Sequence, residues 1–141
     1  AFSWGALMGW AAVFARLDAP ALLLYAAAIA WTIGYDTIYA HQDKDDDALL
    51  GLKSTALKFG PATRPWLTLF YGLAIVLLVL AGFAAGAGWP FFVGLVLAGL
   101  QLAWQIVTLD VDDPASCLTR FRSNRDFGAL VFLALLADMA I

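Results

Sequence analysis

The 141-residue sequence has no glutamate, one cysteine, one histidine and two methionines, and only 13% of its residues are charged. The lone Cys117 cannot close an intrachain disulfide, which excludes a disulfide-built secreted scaffold, and it cannot supply a thiolate zinc site. With no second histidine to serve as its base, Cys117 reads as a packed small residue rather than a nucleophile. His41 has no obvious metal-ligating partners nearby and reads as an interfacial residue. The absence of glutamate, beside the abundance of alanine, reads as a compositional bias of the source genome. Basic residues are few too: the net charge is −3, and seven of the eight fall in two short segments beside aspartates, so no extended basic face exists for nucleic acid.

What the chain has in excess is apolar surface. Hydrophobic residues make up 63% of it and the mean hydropathy is +0.83, which describes a protein in lipid rather than a water-soluble domain. Between Arg64 and Asp110 there is no charged residue at all, a run in which two spans of about 20 residues fit with a turn between them.

Five hydrophobic segments follow, predicting an all-α polytopic transmembrane bundle. Residues 1–15 form a segment short for a span, suiting the tail of a helix that began earlier, and an N-terminal part is expected to be missing. Asp18 and Pro20 suit the start of a second helix over about 19–41. The third and fourth spans cover roughly 66–85 and 90–109, divided by Gly86-Ala87-Gly88-Trp89-Pro90, and their short join makes them antiparallel neighbours. A fifth segment, 127–141, is barely long enough to span, giving about four full spans plus the end of another. The pairs Gly5/Gly9 and Gly82/Gly86 are spaced for close helix packing. Two polar loops, 42–65 and 110–126, come to one side and hold seven basic residues against Arg16 alone on the other, which predicts both loops in the cytoplasm.

The chemistry concentrates at the end of the second span. Asp43, Asp45, Asp46 and Asp47 crowd into five positions, and on a helix Asp43 and Asp47 are i,i+4 neighbours whose repulsion a cation would relieve. One or two carboxylates plus substrate phosphates is the usual way to hold Mg²⁺; the alternative is a solvated acidic helix end. Gly51-Leu52-Lys53-Ser54-Thr55 then offers a point positive charge and two hydroxyls suited to a phosphate, or a capped loop with a positive-inside lysine. Asp36, flanked by Tyr35 and Tyr39 within an apolar span, is expected to face a bundle interior or polar cavity, or else to form an interfacial hydrogen bond.

The run from Tyr35 through Asp36, Tyr39, Asp43 and Lys44 to Asp47, with Gly51 to Thr55 after it, closely resembles the second aspartate-rich motif of the UbiA superfamily of intramembrane prenyltransferases. Trp104 to Asp110, Asp113-Pro114, Cys117-Leu118, Phe121, Asn124 and Gly128 are similar to that family's C-terminal region in the same order, and the chain looks most like the branch that uses 4-hydroxybenzoate. The resemblance implies a nine-helix membrane enzyme that ionises a polyprenyl diphosphate with Mg²⁺ and joins the prenyl group to 4-hydroxybenzoate, ortho to its hydroxyl, in ubiquinone biosynthesis. It carries the Mg²⁺ and diphosphate roles onto Asp43 and Asp47, diphosphate binding onto Lys53, and substrate contacts onto Asp36, Tyr39 and, ranked behind the i,i+4 pair, Asp46. The family's first motif has no counterpart here, so the chain resembles the C-terminal half, expected to be inactive alone, in a bacterial inner membrane, with the mitochondrial inner membrane as the alternative. Three other readings stand beside this one: a haem-, menaquinone- or chlorophyll-pathway relative; a membrane transport module using Asp36 as an ion site; and an inactive fragment.

Overall fold

The structure, a computed structural model, describes residues 3–42, 44–53 and 55–141, and the side chains of all of these except Lys44, Asp47, Thr55 and Ala56. Its elements are α1 (Trp4–Phe14), α2 (Ala19–Ala40), α3 (Lys44–Leu49), α4 (Thr55–Phe59), a single 3₁₀ turn (Gly60–Ala62), α5 (Thr63–Ala85), α6 (Trp89–Thr108) and α7 (Pro114–Ala140). The all-α expectation holds, with no strand among the described residues.

Four long helices close a ring in which α2 packs on α5, α5 on α6, α6 on α7 and α7 back on α2, while α1 leans on α2. The sharp turn between α5 and α6 makes them antiparallel as expected. Gly86 sits at φ +74°, the left-handed value that a side chain disfavours, and lets the Ala87 N–H close on the Gly82 carbonyl at 2.9 Å. Three stretches are long and apolar enough to cross a bilayer: Ala19–Ala40, Leu57–Ala85 and Trp89–Thr108. Their outward faces carry Leu69, Leu73, Val76, Leu80, Val93, Val96 and Leu100, all exposed, an apolar surface that water would not tolerate and lipid would.

The fifth apolar segment differs from its expectation. Residues 114–126, read as part of a loop, are the charged first half of the continuous 27-residue α7, and only its second half is apolar. Asp113 caps α7 by accepting from the Ala115 N–H at 3.0 Å, and Pro114 supplies a ready φ at its first position. The first polar stretch is likewise largely helical, holding α3, α4 and the 3₁₀ turn, with α5 beginning at Thr63 rather than after Pro65. Asp18 does occupy the N-cap position of α2, but its carboxylate accepts from Trp10 Nε1 (3.1 Å) and Arg16 Nε (2.8 Å) instead of capping the helix. Gly82 fits the small-residue reading, since a Cβ there would meet Phe91; Gly5 and Gly9 meet nothing within 4 Å.

A buried polar network ties the four long helices together. Tyr71 of α5 donates to Gln105 Oε1 of α6 at 2.8 Å, and the Gln105 and Asn124 amides exchange two bonds of 3.2 Å. Trp31 of α2 donates to Asn124 Oδ1 of α7 at 2.8 Å, and Gln101 of α6 reaches Ser123 Oγ at 3.0 Å. Gly34 makes room for this arrangement: a Cβ there would lie 2.4 Å from the Tyr71 ring. Where little water is present to satisfy an amide, such reciprocal bonds fix which helices meet and in what register.

Candidate functional site

The antiparallel ring brings both charged stretches to one end of the bundle. Arg64, in the first turn of α5, donates to the Leu109 carbonyl at the end of α6, and Arg120 of α7 donates to Thr108 Oγ1 (2.8 Å) and the Thr108 carbonyl (3.3 Å). These two guanidiniums satisfy carbonyls that the last turn of α6 leaves unpaired, and Arg120 also lies 4.5 Å over the Trp104 ring.

His41, the residue that ends α2, is 3% exposed and bolts the end of α2 to the start of α5. Thr63 Oγ1 gives its proton to the Gly60 carbonyl at 2.7 Å, so its 2.8 Å bond with His41 is one in which Nε2 carries the hydrogen and donates. Cys117 is fully buried, as its packing role requires.

Beyond that bolt, α3 presents Asp45 and Asp46 to the outside, and a turn at Gly51 (φ +70°) leads to Lys53, also exposed. None of these three side chains is engaged by a hydrogen bond or ion pair among the described residues. Asp43 lies outside the described residues, as does the Asp47 side chain, so the i,i+4 pair has no measured geometry here. Among the described residues no three His, Cys, Asp or Glu side chains converge. Magnesium, however, is commonly held by one or two carboxylates plus substrate phosphates, and the exposed hard-oxygen donors Asp45 and Asp46 have that chemistry.

Within this chain Asp36 is exposed, on the same stripe of α2 as Ile29 and Leu22, seven and fourteen residues earlier, whereas Ala27, Ala30, Gly34, Thr37 and Ile38 form the buried face. Tyr39 is 44% exposed, with its ring 4.7 Å from Phe121 of α7. One turn back, Tyr35, Trp31, Phe121, Arg122, Asn124 and Arg125 line a groove of about 330 Å³ between α2 and α7. Sequence reasoning missed this groove and the amide network under it. Trp31, Tyr71 and Gln105 sit in apolar runs where an aromatic reads as packing, and only contact between helices reveals a shared hydrogen bond.

A model of the UbiA prenyltransferase family matches residues 1–136. The chain is 49% identical over 132 residues to "4-hydroxybenzoate polyprenyltransferase, mitochondrial" of Arabidopsis thaliana, covering 92% of this chain and 32% of that protein. It is 47% identical over 135 residues to the Homo sapiens protein of the same name (95% and 36%) and 48% identical over 135 residues to "4-hydroxybenzoate geranyltransferase 2" of Lithospermum erythrorhizon (95% and 44%). It therefore spans about a third of the length of the first two relatives. No solved structure matches. A family match across nearly the whole sequence, on a helical bundle with three apolar spans and an acid-rich segment at one end, establishes that the chain belongs to the UbiA prenyltransferase family.

Proposed function

We propose that the chain is part of an enzyme that transfers a polyprenyl group from polyprenyl diphosphate to 4-hydroxybenzoate, ortho to the hydroxyl. The observation that carries this reading is the set of relatives, matched over more than nine-tenths of the chain, whose names specify 4-hydroxybenzoate as acceptor. In the reaction the C–O bond between the allylic carbon and the diphosphate breaks, a C–C bond to the ring forms, and the ring proton leaves. Lys53 pairs with the departing diphosphate, whose growing charge a fixed cation stabilises. Mg²⁺, held by Asp43 and Asp47 with Asp46 beside them, would neutralise further diphosphate charge. Tyr39 and Asp36 stand near the end of α2, where substrate would pass toward this segment. The apolar helices keep the isoprenoid tail and the reactive cation away from water. Both charged stretches face the cytoplasm or its equivalent, the side that supplies soluble acceptor and Mg²⁺.

The experiment is Mg²⁺-dependent prenylation of 4-hydroxybenzoate in membranes, with this chain alone, with the unmatched part of a relative co-expressed, and with that pair carrying Asp43→Ala or Lys53→Ala. Activity in the complemented pair that both substitutions abolish is the expected result. Activity surviving both removes the residue roles. A pair that prenylates a different aromatic acceptor and not 4-hydroxybenzoate overturns the substrate.

A further inference from the structure

The five arginines are not equivalent. Arg16 pairs with Asp18, Arg125 touches its neighbour Asp126, and Arg122 makes no hydrogen bond or ion pair among the described residues. Arg64 and Arg120 lie instead on consecutive carbonyls where α6 ends, those of Leu109 and Thr108. A guanidinium carries more N–H donors than one carbonyl engages, and Arg64, exposed, bonds to Leu109 through Nη2 alone among the described residues. The adjoining Asp110 carboxylate is turned onto its own loop, accepting from the Asp112 N–H at 3.0 Å. Two positive charges are therefore held at the polar end of the seam between α5 and α6, with donors left for an anion.

Along that seam runs a groove of about 290 Å³, lined by Thr68, Gly72 and Ile75 of α5 and by Gly99 and Ile106 of α6 over the buried Tyr71. Arg64 and Thr68 are one helical turn apart, and Gly72 and Ile75 continue the same stripe, so Arg64 stands at the head of the groove. The groove itself has little to offer a charge: Thr68 already donates to the Arg64 carbonyl at 2.8 Å, and Tyr71 to Gln105. Both helices are spans, and the exposed Leu69, Leu73, Val76 and Leu100 put their outward faces against the bilayer. A cation above an apolar channel on a lipid-facing surface is complementary to one kind of molecule, an anionic amphiphile. The order of the ring places this seam opposite the one between α7 and α2, where Tyr39 meets Phe121, so it is separate from the candidate site. We propose that the seam between α5 and α6 binds an anionic phospholipid, its phosphate on Arg64 with Arg120 as second cation, and one acyl chain in the groove against Gly72 and Gly99. A zwitterionic lipid brings its own cation to the arginines, and a free phosphate leaves the groove unfilled. Seated there, the chain covers Tyr71 where it bonds to Gln105, and the lipid braces the contact between α5 and α6.

The test is lipid retention, read by mass spectrometry on the 141-residue chain and on the complemented pair, each exchanged in mild detergent into an equimolar mixture of dioleoylphosphatidylglycerol and dioleoylphosphatidylcholine. The anionic lipid is expected to be retained about tenfold over the zwitterionic one, and Arg64→Gln to remove that preference. Arg64→Lys, which keeps the charge, restores part of it, and Arg120→Gln has a smaller effect. Gly72→Leu fills the groove without touching either arginine. A Cβ at Gly72 meets nothing within 4 Å, so this variant should melt like the parent while retaining about tenfold less of the anionic lipid. Equal retention of the two lipids by the parent, a preference that survives Arg64→Gln, or parent-like retention by Gly72→Leu overturns the proposal. Displacement of the lipid by inorganic phosphate alone overturns it too, since the groove then contributes nothing. If Gly72→Leu stops the two halves of the complemented pair from co-purifying, the occupant of the groove is protein and the lipid assignment falls. None of these readouts uses prenyl transfer, so the lipid site and the function proposed above stand or fall separately.

Discussion

Residues 44–58 and 110–126 both carry charge of either sign at the same end of the bundle, yet their side chains are employed differently. In the second stretch Asp113 caps α7, Ser116 Oγ accepts from the Asp110 N–H, Arg120 closes α6, and Asn124 joins the buried network. In the first, Asp45, Asp46 and Lys53 are exposed and engaged by nothing else described. Like composition thus serves assembly in one place and is left out of it, among the described residues, in the other. Arg122 is the member of the second stretch that behaves like the first.

The contrast breaks most visibly if function and stability fail to separate. Lys53→Ala in the complemented enzyme is expected to lower turnover by about 10²-fold or more, the scale of losing one group that stabilises developing charge, with no change in melting temperature. A matching fall in stability would place Lys53 among the structural charges. Next in size, Gln105→Leu strands Tyr71, Gln101 and Asn124 together. It should cost about 2 kcal/mol in detergent unfolding, between the usual intramembrane hydrogen bond and a fully unsatisfied buried group. Asp113→Ala should cost about 1 kcal/mol through the lost cap, read by the same unfolding curve.

The smallest expected effect is at the opposite end of the molecule. Hydrogen bonds from Arg16 and then Trp10 hold the Asp18 carboxyl below the usual carboxylate range. A depressed folded-state value means that its contribution is complete above the unfolded value of about 4 and fades as pH falls through the folded one. Comparing the parent with Asp18→Asn from pH 7 to pH 3 should show a small gap in stability that closes only at the acid end. A gap constant across that range would remove the linkage.

The apolar runs, the glycine-proline break at residues 86–90 and the antiparallel pairing of α5 with α6 were legible because hydropathy and turn chemistry are local properties. The acid-rich segment was legible as a candidate because four aspartates in five positions need explaining in any fold. For Asp36, the cost of a carboxylate at membrane depth says that it needs a polar neighbour and not which way α2 is rotated; within this chain the packing of Gly34 on Tyr71 sets that rotation. The charged half of α7 read as loop because its arginines suggest solvent, while the Asp113 cap and contacts with α6 keep it helical. His41 and Arg122 lay beyond reach for a common reason: whether a polar side chain is consumed by the fold depends on what another helix brings to it.

Asn124 is the last residue of the amide network to leave the ribosome. Trp31, Tyr71 and Gln105 precede it by 93, 53 and 19 positions, so the Trp31 indole has no acceptor in the network until α7 arrives. Helix α7 is also the long helix with the weakest hydrophobic drive to enter a bilayer, its first half being charged. The polar groups already in place give it a destination that lipid would not, so the docking of α7 is what completes the network.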